Sequence, residues 1–122
     1  MIKMVVNMNR VKIVNVHEVP KQRVENGVNT WIKVLFSVDE MPTFSMRIFE
    51  MDEGGYIEAH SHPWEHEILV LEGELKVSVE DEEHYLKPFT AIYIPPNKVH
   101  SYRNIYKGRT VFLCTIPIKP TI

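Results

Sequence analysis

Three of the six histidines lie close together in the middle of the chain, in the stretch GGYIEAHSHPWEHEILVLEG at residues 54 to 73. Side chains two residues apart on a strand point to the same face, so His60 and His62 are expected to point together. A Pro-Trp pair then bends the chain, and His66 begins an apolar run. Imidazole is the commonest protein ligand of divalent transition metals, so this spacing indicates a metal site rather than a solvated loop.

The stretch resembles the first motif of the cupin superfamily, G-x5-H-x-H-x3/4-E-x6-G, of which the first glycine and both histidines match directly. Two neighbours compete for the glutamate position of the motif. The distance to Gly73 favours His66, and Glu67 is the alternative. Neighbours on a strand face opposite ways, so only one of the two can reach a metal ion.

A second stretch, PPNKVHSYRN at residues 95 to 104, resembles the second cupin motif, G-x5-P-x-G-x2-H-x3-N. The resemblance implies that His100 is the fourth metal ligand. Phe89 and Asn97 stand where the motif has glycines. Asparagine tolerates left-handed backbone conformations, so Asn97 is a mild change, whereas Phe89 is a larger departure at the entry turn of its strand.

The resemblance covers roughly residues 43 to 117 and is greatest to small single-domain cupins that hold manganese. It implies an all-β fold, a single-domain cupin jelly roll (double-stranded β-helix barrel) that spans residues 1 to 122. It also implies a homodimer in which N-terminal strands within residues 1 to 19 contact the second subunit. Manganese is the expected cofactor, while iron, nickel, zinc and copper stay open because all-nitrogen sites suit several ions. The predicted metal ligands are His60, His62, His66 and His100.

Hydrophobic alternation and turn residues predict short strands and no helix of useful length. The segment at 2 to 19 reads as one or two strands, with Val11, Ile13 and Val16 as the candidates to face a core. A turn at Asn26-Gly27 precedes the next strand, and the residues before Trp31 could equally form a mobile flap. A further turn is predicted at 52 to 55. The other strands are predicted at 31–38, 44–51, 66–71, 74–80, 84–86, 89–94, 99–105 and 110–116.

Residues that share a strand face with the predicted ligands are candidates for a substrate pocket. An inward Arg47 would offer a fork to a carboxylate or an enolate, although parity alone allows a solvated charge almost equally well. Trp64 is expected at the rim. Cys114 is expected to be a buried, inert thiol, because the sequence shows no basic neighbour. The predicted pocket residues are Arg47, Phe49, Tyr102, Phe112, Cys114 and Ile116.

The composition is that of an ordinary soluble domain, with 44% hydrophobic and 25% charged residues. A net charge of −2 gives no reason to expect nucleic acid as a partner. No apolar run approaches the ~20 residues of a membrane span. A single cysteine cannot form an internal disulfide, so we expect a cytoplasmic protein. The predicted pocket leads us to expect a small molecule as its partner.

Three functions fit these residues. The first is a small metal-dependent oxidoreductase, dioxygenase-like, acting on a small organic substrate in an apolar barrel pocket. The second is a non-redox isomerase that uses the ion as a Lewis acid, with Glu50, Glu58 or Glu65 as the base. The third is a non-catalytic cupin that binds a small ligand. The sequence favours the first, although an all-imidazole site lacks the anionic ligand that would ease metal oxidation.

Overall fold

The computed structural model describes residues 9 to 118, in which alternating apolar and polar residues form antiparallel strands from Gln22 onward. One short 3₁₀ helix, Val16–Glu18, precedes them. The strands are β1 (Gln22–Arg23), β2 (Gly27–Phe36), β3 (Phe44–His60), β4 (His66–Glu72), β5 (Leu75–Val79), β6 (Glu82–Leu86), β7 (Ala91–Ile94), β8 (His100–Asn104) and β9 (Thr110–Pro117).

The strands form one sheet that curls into a nearly closed barrel, in the order β6-β5-β8-β3-β9-β4-β7. The β1–β2 hairpin joins this sheet through pairing of β2 with β3. The inward faces of the strands make the main hydrophobic core, which includes Met51, Ile68, Val70, Leu75, Val77 and Phe112. The prediction of an all-β, single-domain barrel is confirmed. Among the described residues, no helix has the length and apolar character needed to cross a membrane.

The predicted turn at residues 52 to 55 is wrong, because β3 continues through it to His60. Strand β2 pairs Thr30 with Met51 and Val28 with Tyr56, so residues 52 to 55 bulge out opposite one residue of β2. A glycine with positive φ, Gly54 at 80°, lets the backbone make this bulge. The glycines therefore do bend the backbone, but as a bulge within β3, because β2 pairs with β3 on both sides of them.

The predicted N-terminal strands differ from the structure where it can be compared. Residues 1 to 8 lie outside the described part of the chain, and residues 9 to 19 form the 3₁₀ helix and irregular backbone. Val11 and Ile13 are each 90% exposed, so they do not face a core as predicted. The segment instead covers the outer face of β2, β3 and β9 with its later valines. Val14, Val16 and Val19 pack there against Leu35, Ile48 and Val111.

The side chain of Asn104, the last residue of the second motif, ties three parts of the barrel together. Its amide nitrogen donates to the backbone carbonyls of Met51 and Asp52 in β3, at 3.2 and 3.0 Å, and to that of Gly108. Its amide oxygen accepts from the hydroxyl of Thr110 at 2.7 Å and from a backbone N–H. Asn104 is 5% exposed, so these bonds satisfy carbonyls that the β3 bulge would otherwise leave buried without partners.

Both motif positions that lack glycine have a left-handed backbone. Phe89 has φ of 67° and Asn97 has φ of 66°, although neither is glycine. The turn at Phe89 is held by its backbone N–H, which donates to the carbonyl of Val70 at 2.7 Å. The Phe89 side chain is 80% exposed and therefore gains little from packing in return. The fold keeps the glycine geometry of the motif even with a bulky residue in place.

Phe89→Gly is expected to stabilise the protein by about 0.5–1 kcal/mol. The left-handed conformation costs a non-glycine residue roughly 1–2 kcal/mol, and the greater backbone entropy of unfolded glycine offsets part of that gain. Urea denaturation of both proteins measures the difference in unfolding free energy. Asn97→Gly is the matched control and should change stability by less than about 0.5 kcal/mol, because asparagine already tolerates this conformation. A Phe89→Gly protein less stable than wild type would contradict the explanation.

Candidate metal centre

The pairing of β3 with β8 brings the first and last predicted ligands together. His60 is the final residue of β3 and lies directly opposite His100, the first residue of β8. Their ring centroids are 4.4 Å apart. His100 is 2% exposed, while His60 is half-buried. One strand pair thus supplies two imidazoles from segments far apart in the sequence.

The other two histidines come from the bend after β3 and from the start of β4. His62 stacks on the indole of Trp64, with ring centroids 4.2 Å apart and planes inclined by 8°. His66 is the first residue of β4 and is 6% exposed, whereas Glu67 points to solvent. The spacing argument that favoured His66 over Glu67 therefore agrees with the direction of the two side chains.

The four imidazoles converge on one point. One ring nitrogen from each of His60, His62, His66 and His100 lies within 4.8 Å of all the others. Two nitrogens at ~2.1 Å from a shared ion can be at most about 4.2 Å apart, so the rings need to close by only about half an ångström. The Nε2 atom of His100 is buried and has no hydrogen-bond partner. A buried lone pair of this kind is expected where an ion would sit, so the donor set fits a divalent metal.

Hydrogen bonds at the outer ring nitrogens turn the inner ones toward the centre. The Nδ1 atoms of His60, His62 and His100 lie 2.7, 3.0 and 2.8 Å from the backbone carbonyls of Glu58, Trp64 and Lys98 respectively. A carbonyl only accepts, so each Nδ1 must carry the proton and donate it. Each Nε2 is then unprotonated and available as a ligand.

Burial favours the neutral form of His62, His66 and His100. It lowers the pKa of His66 to about 2, and the neighbouring His100 and His62 lower that pKa further. Burial lowers the pKa of His100 to about 4, although the Lys98 carbonyl acts in the opposite direction. The pKa of His62 is also lowered, again mainly by burial. Neutral imidazole is the form that binds metal ions.

A cavity of about 360 Å³ is lined by three rings of the cluster, those of His60, His62 and His66. All six predicted pocket residues line it: Arg47, Phe49, Tyr102, Phe112, Cys114 and Ile116. Phe49 and Phe112 stack with centroids 5.0 Å apart, and the Arg47 guanidinium lies 5.4 Å from the Phe49 ring. The Nε of Arg47 and the hydroxyl of Tyr102 are buried without hydrogen-bond partners. These two groups are donors that a polar ligand in an otherwise apolar chamber could satisfy.

Sequence reasoning missed the roof of the cavity, which is the tip of the β1–β2 hairpin. Arg23, Val24, Glu25 and Asn26 all line the cavity. The hairpin is fastened to β3 by the backbone N–H of Glu58, which donates to the carbonyl of Asn26 at 3.0 Å. The Asn26-Gly27 turn signal located the hairpin, but nothing in the sequence showed that it folds over the histidines.

The carboxylates that the sequence offered as bases do not line the cavity. Glu50 is buried on the outer face of β3, where it pairs with Lys33 at 3.5 Å, and Glu58 is exposed. Glu65 lies in the bend between β3 and β4. Among the described residues that line the cavity, Glu25 is the one carboxylate. A base for proton transfer would therefore come from the hairpin rather than from the barrel strands.

Cys114 has basic neighbours that the sequence did not reveal. It is 1% exposed, and its sulfur lies 3.1 Å from Nδ1 of His66 and 3.3 Å from a terminal nitrogen of Arg47. Burial raises the pKa of the thiol, while the Arg47 cation acts to lower it. The thiol is buried as predicted, but strand pairing places Arg47 directly opposite Cys114 and so gives it a basic neighbour that was not evident in the sequence.

The metal-free protein is expected to lose stability as pH falls from about 6.5 toward 4. His62, His66 and His100 have lowered pKa values in the folded state, so the unfolded chain binds more protons in this range. Their contribution is complete above pH 6.5 and decreases as pH falls through the folded values. Thermal unfolding of chelator-treated protein between pH 7.5 and 4.5 measures this. A His100→Gln variant should show a smaller slope, and an unchanged slope would contradict the assignment.

Comparison with known proteins agrees with this geometry. Residues 47–116 match the cupin domain family model. The polyketide cyclase RemF from Streptomyces resistomycificus is 27% identical, with a TM-score of 0.83 over 93% of this chain and 83% of that one. A cupin 2 domain-containing protein from Halorhodospira halophila is 26% identical, with a TM-score of 0.71 over 77% and 68% of the two chains.

KdgF from Halomonas sp. is 19% identical, with a TM-score of 0.77 over 90% of this chain and 96% of that one, and shows the likeness of fold alone. Among curated proteins, none is significantly similar in sequence. The family match covers more than half of the chain, and its region contains strands β4 to β8, most of β3 and β9, and all four histidines. The chain belongs to the cupin family.

Proposed function

We propose that this protein is a metal-dependent enzyme of the non-redox type, acting on a small organic substrate that carries an enolisable ketone, a second ketone and an anionic oxygen group. The observation that carries the proposal is one apolar cavity lined by the partly buried Arg47 and by His60, His62 and His66, which His100 completes as a four-imidazole cluster. His60, His62, His66 and His100 would hold a divalent ion. Bound there, the ion would supply Lewis acidity to a carbonyl or enolate oxygen.

Arg47 would bind the anionic part of the substrate. Its Nε is buried and unpartnered, and the walls around it are apolar, so a carboxylate or enolate oxygen would satisfy a donor that water does not easily reach. The unpartnered Tyr102 hydroxyl is a second donor in the same cavity. Burial raises the Tyr102 pKa well above its usual value, so this group donates a proton in a hydrogen bond and does not act as a base.

The reaction class follows from these groups and from the likeness to a polyketide cyclase. Ring closure between an enolate carbon and a ketone in one molecule forms a carbon–carbon bond, and the ketone oxygen becomes a hydroxyl. The proton lost from the first carbon balances the proton gained by the oxygen, so the step needs no oxidant. Glu25 at the cavity roof would accept and return that proton.

A metal-dependent oxidoreductase, which the sequence favoured, is the second candidate. The stacked Phe49 and Phe112 rings give the chamber an apolar wall that a small apolar oxidant could enter. The four ligands are all neutral, however, and no carboxylate joins the described histidine cluster to stabilise a higher oxidation state. The donor set therefore supports Lewis-acid chemistry better than dioxygen chemistry.

Enolisation is the step to test, with 2-oxo-4-phenylbutanoate as the probe because it has a carboxylate, an enolisable ketone and an apolar ring. Protein loaded with Mn²⁺, Co²⁺ or Zn²⁺ is expected to speed hydrogen–deuterium exchange at C3 by about 10²-fold or more over free ion, without dioxygen. Proton NMR in D₂O measures the exchange. Arg47→Met should raise the KM by at least about tenfold.

Two neighbouring substitutions provide the control. His66→Ala should lose both the ion and the activity, whereas Glu67→Ala, at the adjacent exposed position, should keep both. Turnover that requires dioxygen or peroxide would support the oxidoreductase instead. Binding of the probe without any exchange or turnover would support a non-catalytic binding protein.

We propose in addition that the protein is a homodimer. Val11 and Ile13 are each 90% exposed in a segment that lies against the barrel, and apolar side chains so exposed are suited to contact with a second copy. Manganese as the native ion and a cytoplasmic location stay predictions from the sequence.

The dimer makes a simple prediction. Wild-type protein should have about twice the monomer mass in light scattering at micromolar concentration, and Val11→Asp with Ile13→Asp should give the monomer. Val38→Asp is the control, because Val38 is also exposed but lies after the end of β2. A monomeric wild-type protein would refute the proposal.

A further inference from the structure

One of the four histidines differs from the others in what holds its outer nitrogen. The Nδ1 atoms of His60, His62 and His100 contact backbone carbonyls only two residues away in sequence. The Nδ1 of His66 instead contacts a side chain from another strand, the sulfur of Cys114 in β9, at 3.1 Å. The orientation of this one ring therefore depends on a residue that mutation can change.

The same sulfur also contacts the cation of the cavity. A terminal nitrogen of Arg47 donates to Cys114 Sγ at 3.3 Å. Strand pairing fixes both contacts, because Arg47 lies opposite Cys114 in β3 and Ile68, two residues after His66, lies opposite it in β4. The sulfur thus lies between an imidazole of the histidine cluster and the guanidinium that would bind substrate.

We propose that Cys114 is a positioning residue whose sulfur accepts hydrogen bonds from His66 and Arg47 at once, and so couples metal affinity to anion affinity. The inference rests on the proposed function, since it assigns the metal to the four histidines and the anion to Arg47. In this proposal the Nδ1–H of His66 donates to the sulfur, which leaves its Nε2 unprotonated, 2.8 Å from Nε2 of His62, as two ligands of one ion would be. Arg47 is held by one terminal nitrogen, and its unpartnered Nε remains for the ligand.

The competing explanation is that Cys114 only fills space in the core, where it is 1% exposed. The two explanations predict opposite rankings of substitutions. Valine fills the space but cannot accept a hydrogen bond, whereas serine keeps an acceptor but is smaller and polar. If the sulfur acts as an acceptor, Cys114→Ser should be the milder change at the metal site. If it only packs, Cys114→Val should be the milder change.

The effect of the sulfur on metal affinity is tested by Co²⁺ titration of the chelator-treated full-length protein, followed by its visible absorption. Cys114→Val is expected to weaken Co²⁺ binding about 10–100-fold, the usual effect of losing the partner of a ligating histidine, while Cys114→Ser stays within about threefold of wild type. Val77→Ala, in the fully buried core of β5, is the control for lost stability and should bind Co²⁺ as wild type does. If Cys114→Val does not fold, Cys114→Ala makes the same test.

A double-mutant cycle tests the coupling to Arg47. Binding of 2-oxo-4-phenylbutanoate to Co²⁺-saturated protein is measured for wild type, Cys114→Val, Arg47→Met and the double variant. Cys114→Val should weaken probe binding at least fivefold in the wild-type background and by less than twofold in the Arg47→Met background. Equal losses in both backgrounds would show that the sulfur does not act through Arg47 and would overturn the coupling.

The outcomes separate this inference from the proposed function. A wild-type protein that binds no Co²⁺ would overturn the metal site and with it the proposed function. Tight Co²⁺ binding by wild type and by Cys114→Val alike would overturn the positioning role and leave the proposed function intact. Weaker binding by Cys114→Val, with Cys114→Ser near wild type, would support the role of the sulfur.

Discussion

The register between β3 and β8 is the constraint on which the whole site depends. It places His60 directly opposite His100, and a slip of one residue would turn His100 to the outside of the barrel. Asn104 fixes this register from the far end of β8, because its side chain bonds the β3 carbonyls of Met51 and Asp52. The asparagine that ends the second motif is thus a structural residue that serves the histidine at the start of that motif.

The electrostatics of the cavity follow from which groups the barrel buries. The imidazoles of His66 and His100 lie in a low-dielectric interior that favours their neutral form. The backbone carbonyl of Lys98 selects the tautomer of His100 by accepting a hydrogen bond from its Nδ1. The Arg47 guanidinium lies beside the Phe49 ring in the cavity wall. Among the described residues that line this cavity, Glu25 in the hairpin is the one carboxylate, so the barrel strands contribute positive charge there without a negative side chain to balance it.

Much of the fold could be predicted from the sequence because short-range signals were consistent with one another. The strands from His66 onward lie within two residues of their predicted bounds, since apolar alternation and turn residues agree there. The histidine cluster could also be predicted, since parity allowed only one of His66 and Glu67 to face a metal ion and the motif spacing selected His66. Residue type alone does not predict the backbone at Phe89, because its turn keeps a left-handed conformation that phenylalanine disfavours.

The errors have a common cause in long-range pairing. The glycines at residues 54 and 55 predicted a turn, but the length of β2 made them a bulge in a continuous strand. Val11 and Ile13 had the pattern of core residues, yet Val14 and Val16 occupy the outer face that the segment covers. Likewise, the contacts of Cys114 arise from strands separated by dozens of residues, which no local pattern contains.

The hairpin roof has a consequence for how such a barrel can change. Residues 23 to 26 close the cavity from outside the motif-bearing strands and are joined to β3 through a backbone hydrogen bond that does not depend on side-chain type. Substitutions at the tip can therefore alter the size and polarity of the chamber while the histidine cluster below keeps its geometry. The cavity roof and the histidine cluster thus lie on separate elements, so the roof can diversify without loss of the cluster.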